Sequence, residues 1–329
     1  MTRLGRGHVP VAFGNAATAL ALALSLYAGL KVGDVPISAT DLLRVLYLGP
    51  QARLEEAFLS GVVWQIRLPR AIAAAMSGGV LAICGVIFQG VLRNPLAEPY
   101  TLGVAGGAAF GAACAIVAGL PWVTPLAFAG SIATLLVVWV LGARRGERDA
   151  TRIVLAGVIV GSILGAGLTL IKALAGEKIA AIVIWLMGSF AAANWLDVPP
   201  LGISLILLIL LASMHARELD IMGSGVEAAA LGVDLPRTRL LLLGGASLAV
   251  SLVVSRFGVI GFVGLVVPHL LRLLFGPAHR DLLPLSFLGG AALLCAADTA
   301  AKVWNEIPVG VLTVLIGGPI FCLLLWRKK

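Results

Sequence analysis

The sequence predicts an all-α polytopic membrane protein of about ten transmembrane helices, and its composition is the first observation behind that prediction. Of 329 residues, 60% are hydrophobic and 12% are charged, whereas soluble domains carry about 25% charged residues. So few charges could not cover the surface of a water-soluble fold. The composition therefore excludes a soluble enzyme and a disordered chain, and the four cysteines show no spacing typical of a disulfide framework or a metal site.

Apolar runs along the chain are the second observation, because a spanning helix needs about 20 mostly apolar residues. The first run follows Arg3 and Arg6 as the core of a signal peptide would, but it is longer than such a core and further runs follow. We therefore expect it to be retained as a helix. The candidate segments are 12–30, 71–92, 99–119, 121–143, 153–171, 179–196, 198–214, 240–255, 257–271, 282–297 and 307–326.

Positive residues are the third observation, because cytoplasmic loops are enriched in lysine and arginine. If 179–196 does not cross and the N-terminus is cytoplasmic, 15 of the 24 basic residues lie inside and the other nine outside. If 179–196 does cross, those two numbers are exchanged. We therefore expect ten crossings, both termini in the cytoplasm, and 179–196 as a partial or surface-lying outer helix, where Trp185 and Trp195 suit the membrane interface.

No connection between these runs is long enough for a separate domain, so 1–329 is expected to be one transmembrane domain. The longest connections are an outer loop, 31–70, and a cytoplasmic loop, 215–239. In the second loop Ser224 is placed to cap a short helix over 226–231. Such a helix is either an ordinary connector or a coupling helix that docks on an ATPase subunit.

Small residues recur at every fourth position in two of the runs. Rows of this kind let helix backbones approach closely, which matters because lipid supplies no hydrophobic drive for helix association. We expect tight packing within the chain, and a dimer contact or a moving interface remains the alternative. The rows are Gly103, Gly107 and Gly111, and Gly157, Gly161 and Gly165.

Polar groups at membrane depth are rare, and ionisable ones there are candidates for function. We expect Gln89 to make one interhelical hydrogen bond, His269 to be structural, and Asp298 and Lys302 to form an i, i+4 pair. Glu306 is expected at the outer surface. This scarcity argues against an ion-coupled carrier, which usually has several acids or histidines near the membrane centre.

Motifs for catalysis are absent from the sequence. There is no GxxxxGK[ST] phosphate loop, so any dependence on ATP must come from a partner subunit. There is also no HxxH, HExxH or GxSxG, the patterns of metal sites and of serine nucleophiles. We therefore predict no catalytic residue, no metal site and no cofactor.

Seven strings follow one another from residue 64 almost to the end of the chain. They are WQIRLPR (64–70), RNPLAEPYTLGVAGG (93–107), VLAGV (154–158), EAAALGV (227–233), GFVGLVVPHLLR (261–272), HRDLLPLSFLGGA (279–291) and EIPVGVLTVLIGGPIF (306–321). Through these strings the chain resembles the FecCD-type permeases of type II ABC importers, which take up ferric siderophores, haem, cobalamin or related metal chelates.

The resemblance implies a function and a set of partners. The chain would be a non-enzymatic permease that passes an iron chelate (siderophore or haem) or cobalamin inward by alternating access at a homodimer interface. Its partners would be two ABC ATPase subunits, an external or periplasmic substrate-binding protein and the lipid of a bacterial inner membrane, and no nucleic acid. The alternative from another class is a stand-alone secondary transporter or channel for a small solute.

Docking residues follow from the resemblance position by position. Arg67 and Arg70 of the IRLPR string, and Lys302 before the EIP string, match the basic residues that meet acidic residues of the binding protein in the family's cobalamin importer. Lys302 stands where that permease has an arginine, and the segment 303–306 is shorter here. This departure counts against a cobalamin cargo.

Gate and coupling residues are implied in the same way. The family's central pathway is lined by its fifth and tenth helices, which here are 153–171 and 307–326. The positions that match the inner gate are Asn94, Pro95, Leu96, Ala150 and Thr151, and those that match the ATPase-coupling string are Gly225, Ala229, Leu231 and Gly232.

Overall fold

The computed structural model describes residues 10–50, 57–142, 150–224 and 234–326, and the regular secondary structure within them is helical. The α-helices are α1 (Val11–Lys31), α2 (Ala39–Leu48), α3 (Ala57–Gly61), α4 (Leu68–Val91), α5 (Val104–Ala118), α6 (Val123–Gly142), α7 (Ala150–Leu174), α8 (Ile179–Met187), α9 (Val198–Met214), α10 (Ala216–Ser224), α11 (Leu235–Phe257), α12 (Val263–Phe275), α13 (His279–Val303) and α14 (Val309–Trp326). A π-helix, Val62–Arg67, joins α3 to α4, and a 3₁₀-helix, Gly176–Lys178, leads into α8.

Ten apolar helices among the described residues match ten of the predicted spans in order. By length and composition, six helical stretches can each cross a membrane, and α9 with α10, bent by 60°, passes the same test as a pair. Three shorter apolar helices lie in α5, α12 and α14. The predicted all-α class with about ten spans is confirmed. The ten are α1, α4, α5, α6, α7, α9, α11, α12, α13 and α14.

The one candidate segment left over, 179–196, contains a helix that is too short to cross a membrane. Nine residues form α8, which is about 14 Å long at 1.5 Å per residue, and the hydrocarbon core is about 30 Å thick. Gly188 ends α8 with a φ of 72°. Its carbonyl accepts a hydrogen bond from the amide of Val309, at 3.0 Å. The chain therefore turns towards the start of α14 after α8.

The segment predicted as an outer loop, 31–70, is largely helical. Ser38 caps α2 by accepting a hydrogen bond from the amide of Asp41. From Ala57 onward the chain is continuously helical to the end of α4, as one stretch of 35 residues. The π-helix widens this stretch by i→i+5 bonding where Arg67 lies, so the sequence boundary at residue 70 does not coincide with a structural one.

The centre of the fold is α4, which packs against α9, α11, α12 and α13 and is buried along nearly all its length. Glycine makes this possible. A Cβ at Gly78 would overlap the carbonyl oxygen of Gly290 on α13, and a Cβ at Gly85 would overlap that of Gly264 on α12. Backbone approach of this kind replaces the hydrophobic drive that lipid does not supply.

The two predicted glycine rows differ in what their glycines pack against. Gly107 and Gly111 face the backbone carbonyls of Gly130 and Leu126 on α6 without room for a Cβ. This bears out tight packing within the chain for the first row. In the second row Gly157 packs against the connection before α5, whereas Gly165 on α7 faces open space.

Connections between the spans gather at two ends of the bundle, because consecutive spans run in opposite directions. At the first, which we call the Arg70 end, the connections α1–α4, α5–α6, α7–α9, α11–α12 and α13–α14 meet through hydrogen bonds. At the second, which we call the Arg272 end, the connection α4–α5 and the start of α13 contact α10, and the connection α4–α5 also lies beside the first turn of α7.

Candidate functional site

Four charged side chains form a compact group at the Arg70 end, which we call the Arg70 cluster: Arg70, Asp298, Lys302 and Glu306. Arg70, in the first turn of α4, donates from Nε to Asp298 Oδ2 at 2.9 Å and from Nη2 to Oδ1 at 3.0 Å. Its Nη1 and Nη2 also donate to the two carboxylate oxygens of Glu306, at 2.8 and 2.7 Å. Such two-pronged contacts are the strongest ion pairs that proteins form.

Lys302 completes the cluster from α13. Its Nζ donates to the carbonyl of Gly29 at 3.0 Å and lies 3.7 Å from Asp298 Oδ2. The expected i, i+4 pair is therefore present, but the main partner of Asp298 is Arg70. Two cations and two anions cancel in this cluster, which is how charges inside a protein are tolerated.

Arg67 is separate from the cluster and is bound to backbone. It is only 4% exposed, and its guanidinium donates to the carbonyls of Leu30, Lys31 and Val35. The carbonyls of Leu30 and Lys31 belong to the last turn of α1 and have no partner within that helix. A cation at this helix end also complements its dipole, so Arg67 caps α1.

Glu306 is the accessible member of the Arg70 cluster. Its side chain is 47% exposed, whereas those of Arg70 and Asp298 are 7% and 3% exposed. Hydrogen bonds from Arg70 lower the pKa of the Glu306 carboxyl below its ordinary value. Asn305 and Glu306 have φ angles of 53° and 58°, a left-handed backbone that costs roughly 1–2 kcal/mol for a residue with a Cβ.

The three predicted docking residues thus lie at one end of the bundle, with their charged groups already bound within the chain. Their contact with a binding protein stays a prediction. Sequence reasoning placed Glu306 at the surface but did not find its pairing with Arg70, which is 236 residues away. The available signal was a set of ionisable residues near one membrane end, Arg70, Asp298 and Lys302, because such residues usually pair with one another.

The two halves of the predicted inner gate meet at the Arg272 end. Asn94 shapes its connection by accepting a hydrogen bond at Oδ1 from the amide of Leu96, at 2.9 Å. A small cavity of about 210 Å³ is lined by Asn94 and Thr151 together. Leu96 is 49% exposed, and Pro95 lines a different cavity.

Two predicted elements fall at the edge of the described chain or beyond it. Ala150 is the first residue of α7. The coupling residues Gly225, Ala229, Leu231 and Gly232 lie outside the described residues, as does the helix predicted over 226–231. Ser224 is the last residue of α10.

Within the ranges that the structure describes, no group of three or more His, Cys, Asp or Glu side chains could hold a metal ion. Gln89 makes the expected interhelical contact, since its Nε2 donates to the carbonyl of Leu265 on α12 at 3.1 Å. His269 lies edge-on to Phe321 with ring centres 5.7 Å apart.

Known proteins match the chain over nearly its whole length. The model of the FecCD transport family matches residues 20–327. The cobalamin import permease BtuC of Halobacterium salinarum is 42% identical over 275 residues, which cover 82% of this chain and 74% of that protein. The molybdate import permease MolB of Haemophilus influenzae is 35% identical over 325 residues, 94% of each chain.

A solved structure agrees with the fold. A transporter described as of the metal-chelate ABC type, in an inward-facing conformation, superimposes with a TM-score of 0.84 at 30% identity, covering 95% of this chain and 98% of that one. The relatives are named as permeases of import systems and the structural neighbour as an ABC transporter, which favours an ABC permease over a stand-alone carrier or channel. The chain belongs to the FecCD transport family and is a multi-pass permease subunit of an ABC importer.

Proposed function

We propose that two copies of this chain form the pathway of an importer for a metal chelate, which is cobalamin or an iron chelate such as a siderophore or haem. An external binding protein delivers the cargo to the Arg70 end, which faces outward. Two ATPase subunits act at the Arg272 end, in the bacterial cytoplasm, where both termini lie. The observation that carries this proposal is the gathering of Arg67, Arg70 and Lys302 at one end of the bundle.

Docking proceeds in this proposal by exchange of carboxylates on Arg70. One edge of its guanidinium donates hydrogen bonds to buried Asp298, and the other edge donates to half-exposed Glu306. A carboxylate of the binding protein can therefore take the place of Glu306 without breaking the buried pair. Charge pairs at the rim of an interface steer association and are screened by salt.

The docking proposal is tested by removing the competing carboxylate. We expect Glu306→Gln to tighten binding of the purified binding protein to the permease–ATPase complex by about two- to fivefold at low salt, the range of a partly exposed ion pair. The difference should shrink as salt rises. The matched control is Glu177→Gln, which removes an exposed acid at the same end. Equal affinities for all three proteins at low salt, or weaker binding by Glu306→Gln, would contradict the exchange.

The pathway is proposed to run between the two copies along α7 and α14. Both helices expose uncharged apolar side chains, among them Leu155 and Ile163 on α7 and Leu315 on α14, each more than half exposed. A wall without charges would hold a bulky chelate weakly, so the cargo could leave once the binding protein has released it. The open space beside Gly165 supports close approach of a second chain there.

Gating and coupling are proposed for the opposite end. Asn94 and Thr151, which share a small cavity, would separate when the inner gate opens, together with Pro95, Leu96 and Ala150. Movements of the ATPase subunits would reach the spans through the segment that follows α10 in the sequence. Its proposed coupling residues are Gly225, Ala229, Leu231 and Gly232. We expect that a disulfide between cysteines introduced at positions 94 and 151 blocks uptake. Reduction of this disulfide should restore uptake.

The cargo is proposed by class. One relative is a cobalamin permease and another a molybdate permease, and the structural neighbour is of the metal-chelate type. The decisive observation is the ligand of the binding protein encoded beside this gene. Tight binding of cobalamin or an iron chelate supports the proposal, and binding of molybdate with rejection of the chelates would overturn it.

A further inference from the structure

An open-sided cavity of about 600 Å³ lies at the Arg272 end, lined by the last turns of α4 and α12, by α10 and by the start of α13. Of the residues assigned to docking, gating or coupling, Pro95 alone lines it. Its polar wall comes from Gln89, Arg93, Asp220, Arg272 and His279. These side chains have no role in the proposed transport cycle. Three of them, Gln89, Arg272 and His279, have buried polar atoms with no hydrogen-bond partner among the described residues, whereas Arg93 Nε donates to the carbonyl of Met222.

Arg272 is the central feature of this wall. Its Nε and Nη2 are shielded from solvent and have no hydrogen-bond partner among the described residues. Guanidinium groups withdrawn from water are strongly disfavoured unless they are paired with an anion. Arg70, at the other end, shows how this chain satisfies a buried guanidinium, with four carboxylate oxygens. The partly buried Arg272 has only the charge of Asp220 nearby, and no described residue accepts a hydrogen bond from its Nε or Nη2.

Asp220, the acid in the wall, is committed elsewhere. Its Oδ1 accepts from the backbone amide of His279 at 2.9 Å and contacts the ring Nδ1 at 2.6 Å. Ala278, the residue before α13, has no side chain to cap that helix, so Asp220 supplies the cap from α10. Two arginines, Arg93 at the rim and Arg272 inside, face this one acid, so the wall carries a net positive charge.

Two buried hydrogen-bond acceptor atoms lie in the same wall as the arginines and indicate which donor groups a ligand should carry. Gln89 and His279 are only 2% and 3% exposed, and Gln89 Oε1 and His279 Nε2 have no partner among the described residues. Because His279 Nδ1 faces a carboxylate, it carries the proton in the neutral ring, and Nε2 is then an acceptor. The wall therefore offers cationic donors and neutral acceptors, which fits a ligand with both anionic oxygens and hydroxyl groups.

We propose that this cavity binds a phosphate group that carries hydroxyls, with Arg272 as its principal cation. Tetrahedral phosphate offers several oxygens to Arg272 and Arg93 at once, which a carboxylate does not. Its hydroxyls are donors for Gln89 and His279. The same chemistry occurs in free phosphate and in the glycerol-phosphate headgroup of an anionic lipid. A basic pocket between helices at a membrane end suits such a headgroup.

The site is tested on the full-length permease, purified in detergent and freed of lipid. The thermal unfolding midpoint is measured against sodium phosphate, sodium acetate, dioleoyl phosphatidylglycerol and dioleoyl phosphatidylcholine at constant ionic strength. We expect a saturable rise with phosphate, with phosphatidylglycerol, or with both, and none with acetate or phosphatidylcholine. A response to phosphate alone identifies a free ion as the source, and a response to phosphatidylglycerol alone identifies a lipid.

Variants assign the effect to the cavity. Arg272→Gln should weaken the saturable response about tenfold or more, as expected for loss of charge-assisted hydrogen bonds. Arg280→Gln is the matched control, because it removes an exposed arginine at the same end that does not line this cavity. If Arg272→Gln does not fold, Arg272→Lys takes its place in the same measurement, because lysine keeps the positive charge but lacks the planar guanidinium that binds two oxygens at once. Absence of any saturable response in the wild type, an equal response to acetate, or equal loss in both variants would overturn the proposal.

Discussion

At the scale of single residues, the three buried cations at the Arg70 end, Arg67, Arg70 and Lys302, are all bound by oxygen atoms of the chain. Arg70 is bound by two carboxylates, Lys302 by a backbone carbonyl and a carboxylate, and Arg67 by the carbonyls that end α1. Of the two carboxylates in the Arg70 cluster, that of Glu306 is substantially open to solvent and that of Asp298 is buried. A partner that approaches this end therefore meets a neutral cluster with one exchangeable member.

The buried pair is predicted to contribute strongly to stability. Arg70→Met leaves Asp298 uncompensated, and loss of one member of a buried ion pair costs about 3–5 kcal/mol. We expect a drop near the lower end of that range, because Lys302 is 3.7 Å from Asp298. The measurement is the free energy of unfolding in detergent by chemical denaturation. Arg70→Met with Asp298→Leu should recover most of the loss, and a double variant less stable than the single one would contradict the pairing.

The exposed pair is predicted to respond to pH. Bonding to Arg70 lowers the pKa of Glu306 in the folded chain, so the unfolded chain binds the proton more readily. This contribution is fully present above the ordinary glutamate pKa of about 4.3 and is lost as pH falls through the lower folded value. Thermal unfolding followed from about pH 5 to 3 should show a steeper decline for the wild type than for Glu306→Gln. Parallel curves would show that Glu306 is not paired in solution.

At the scale of helices, α4 is held both by close backbone contacts at its glycines and by large buried side chains such as Phe88 and Leu81. The sequence predicts close packing from its glycine rows, and Gly107 and Gly111 bear this out against α6. Gly78 and Gly85 on α4 make equally close contacts with α13 and α12 but are seven residues apart and belong to no row of glycines at every fourth position. Which helix a glycine faces depends on contacts between distant segments, and periodicity within one helix does not contain that information.

This packing yields a prediction with a close control. Gly85→Ala places a Cβ against the carbonyl of Gly264 and should destabilise the permease by about 1–3 kcal/mol, the usual cost of overpacking. Gly244→Ala, on α11, meets no atom within 4 Å and should be neutral or stabilising by up to about 1 kcal/mol, because alanine favours helix. The two variants are compared by chemical denaturation. Equal effects would show that the close approach of α4 and α12 is not tight.

At the scale of the whole molecule, most of the architecture follows from hydropathy and charge. The ten spans were predictable because each lies in a long apolar run of the sequence, although α5 and α12 are shorter than a full span. The family was predictable from strings such as IRLPR and EIPVG. The ion-pair network was not, because Arg70 and Glu306 are paired by the packing of α4 against α13. The cavity beside Arg272 was missed for the same reason, since its wall comes from four separate helices.

The transport of cargo through this chain is proposed to draw its energy from ATP on partner subunits. The most direct measurement is uptake of the chelate into proteoliposomes that contain the permease and its ATPase, with the binding protein outside and ATP within. We predict that substitution of the phosphate-loop lysine of the ATPase abolishes uptake and that a protonophore leaves it unchanged. Uptake that survives the ATPase substitution and collapses with the protonophore would contradict the account.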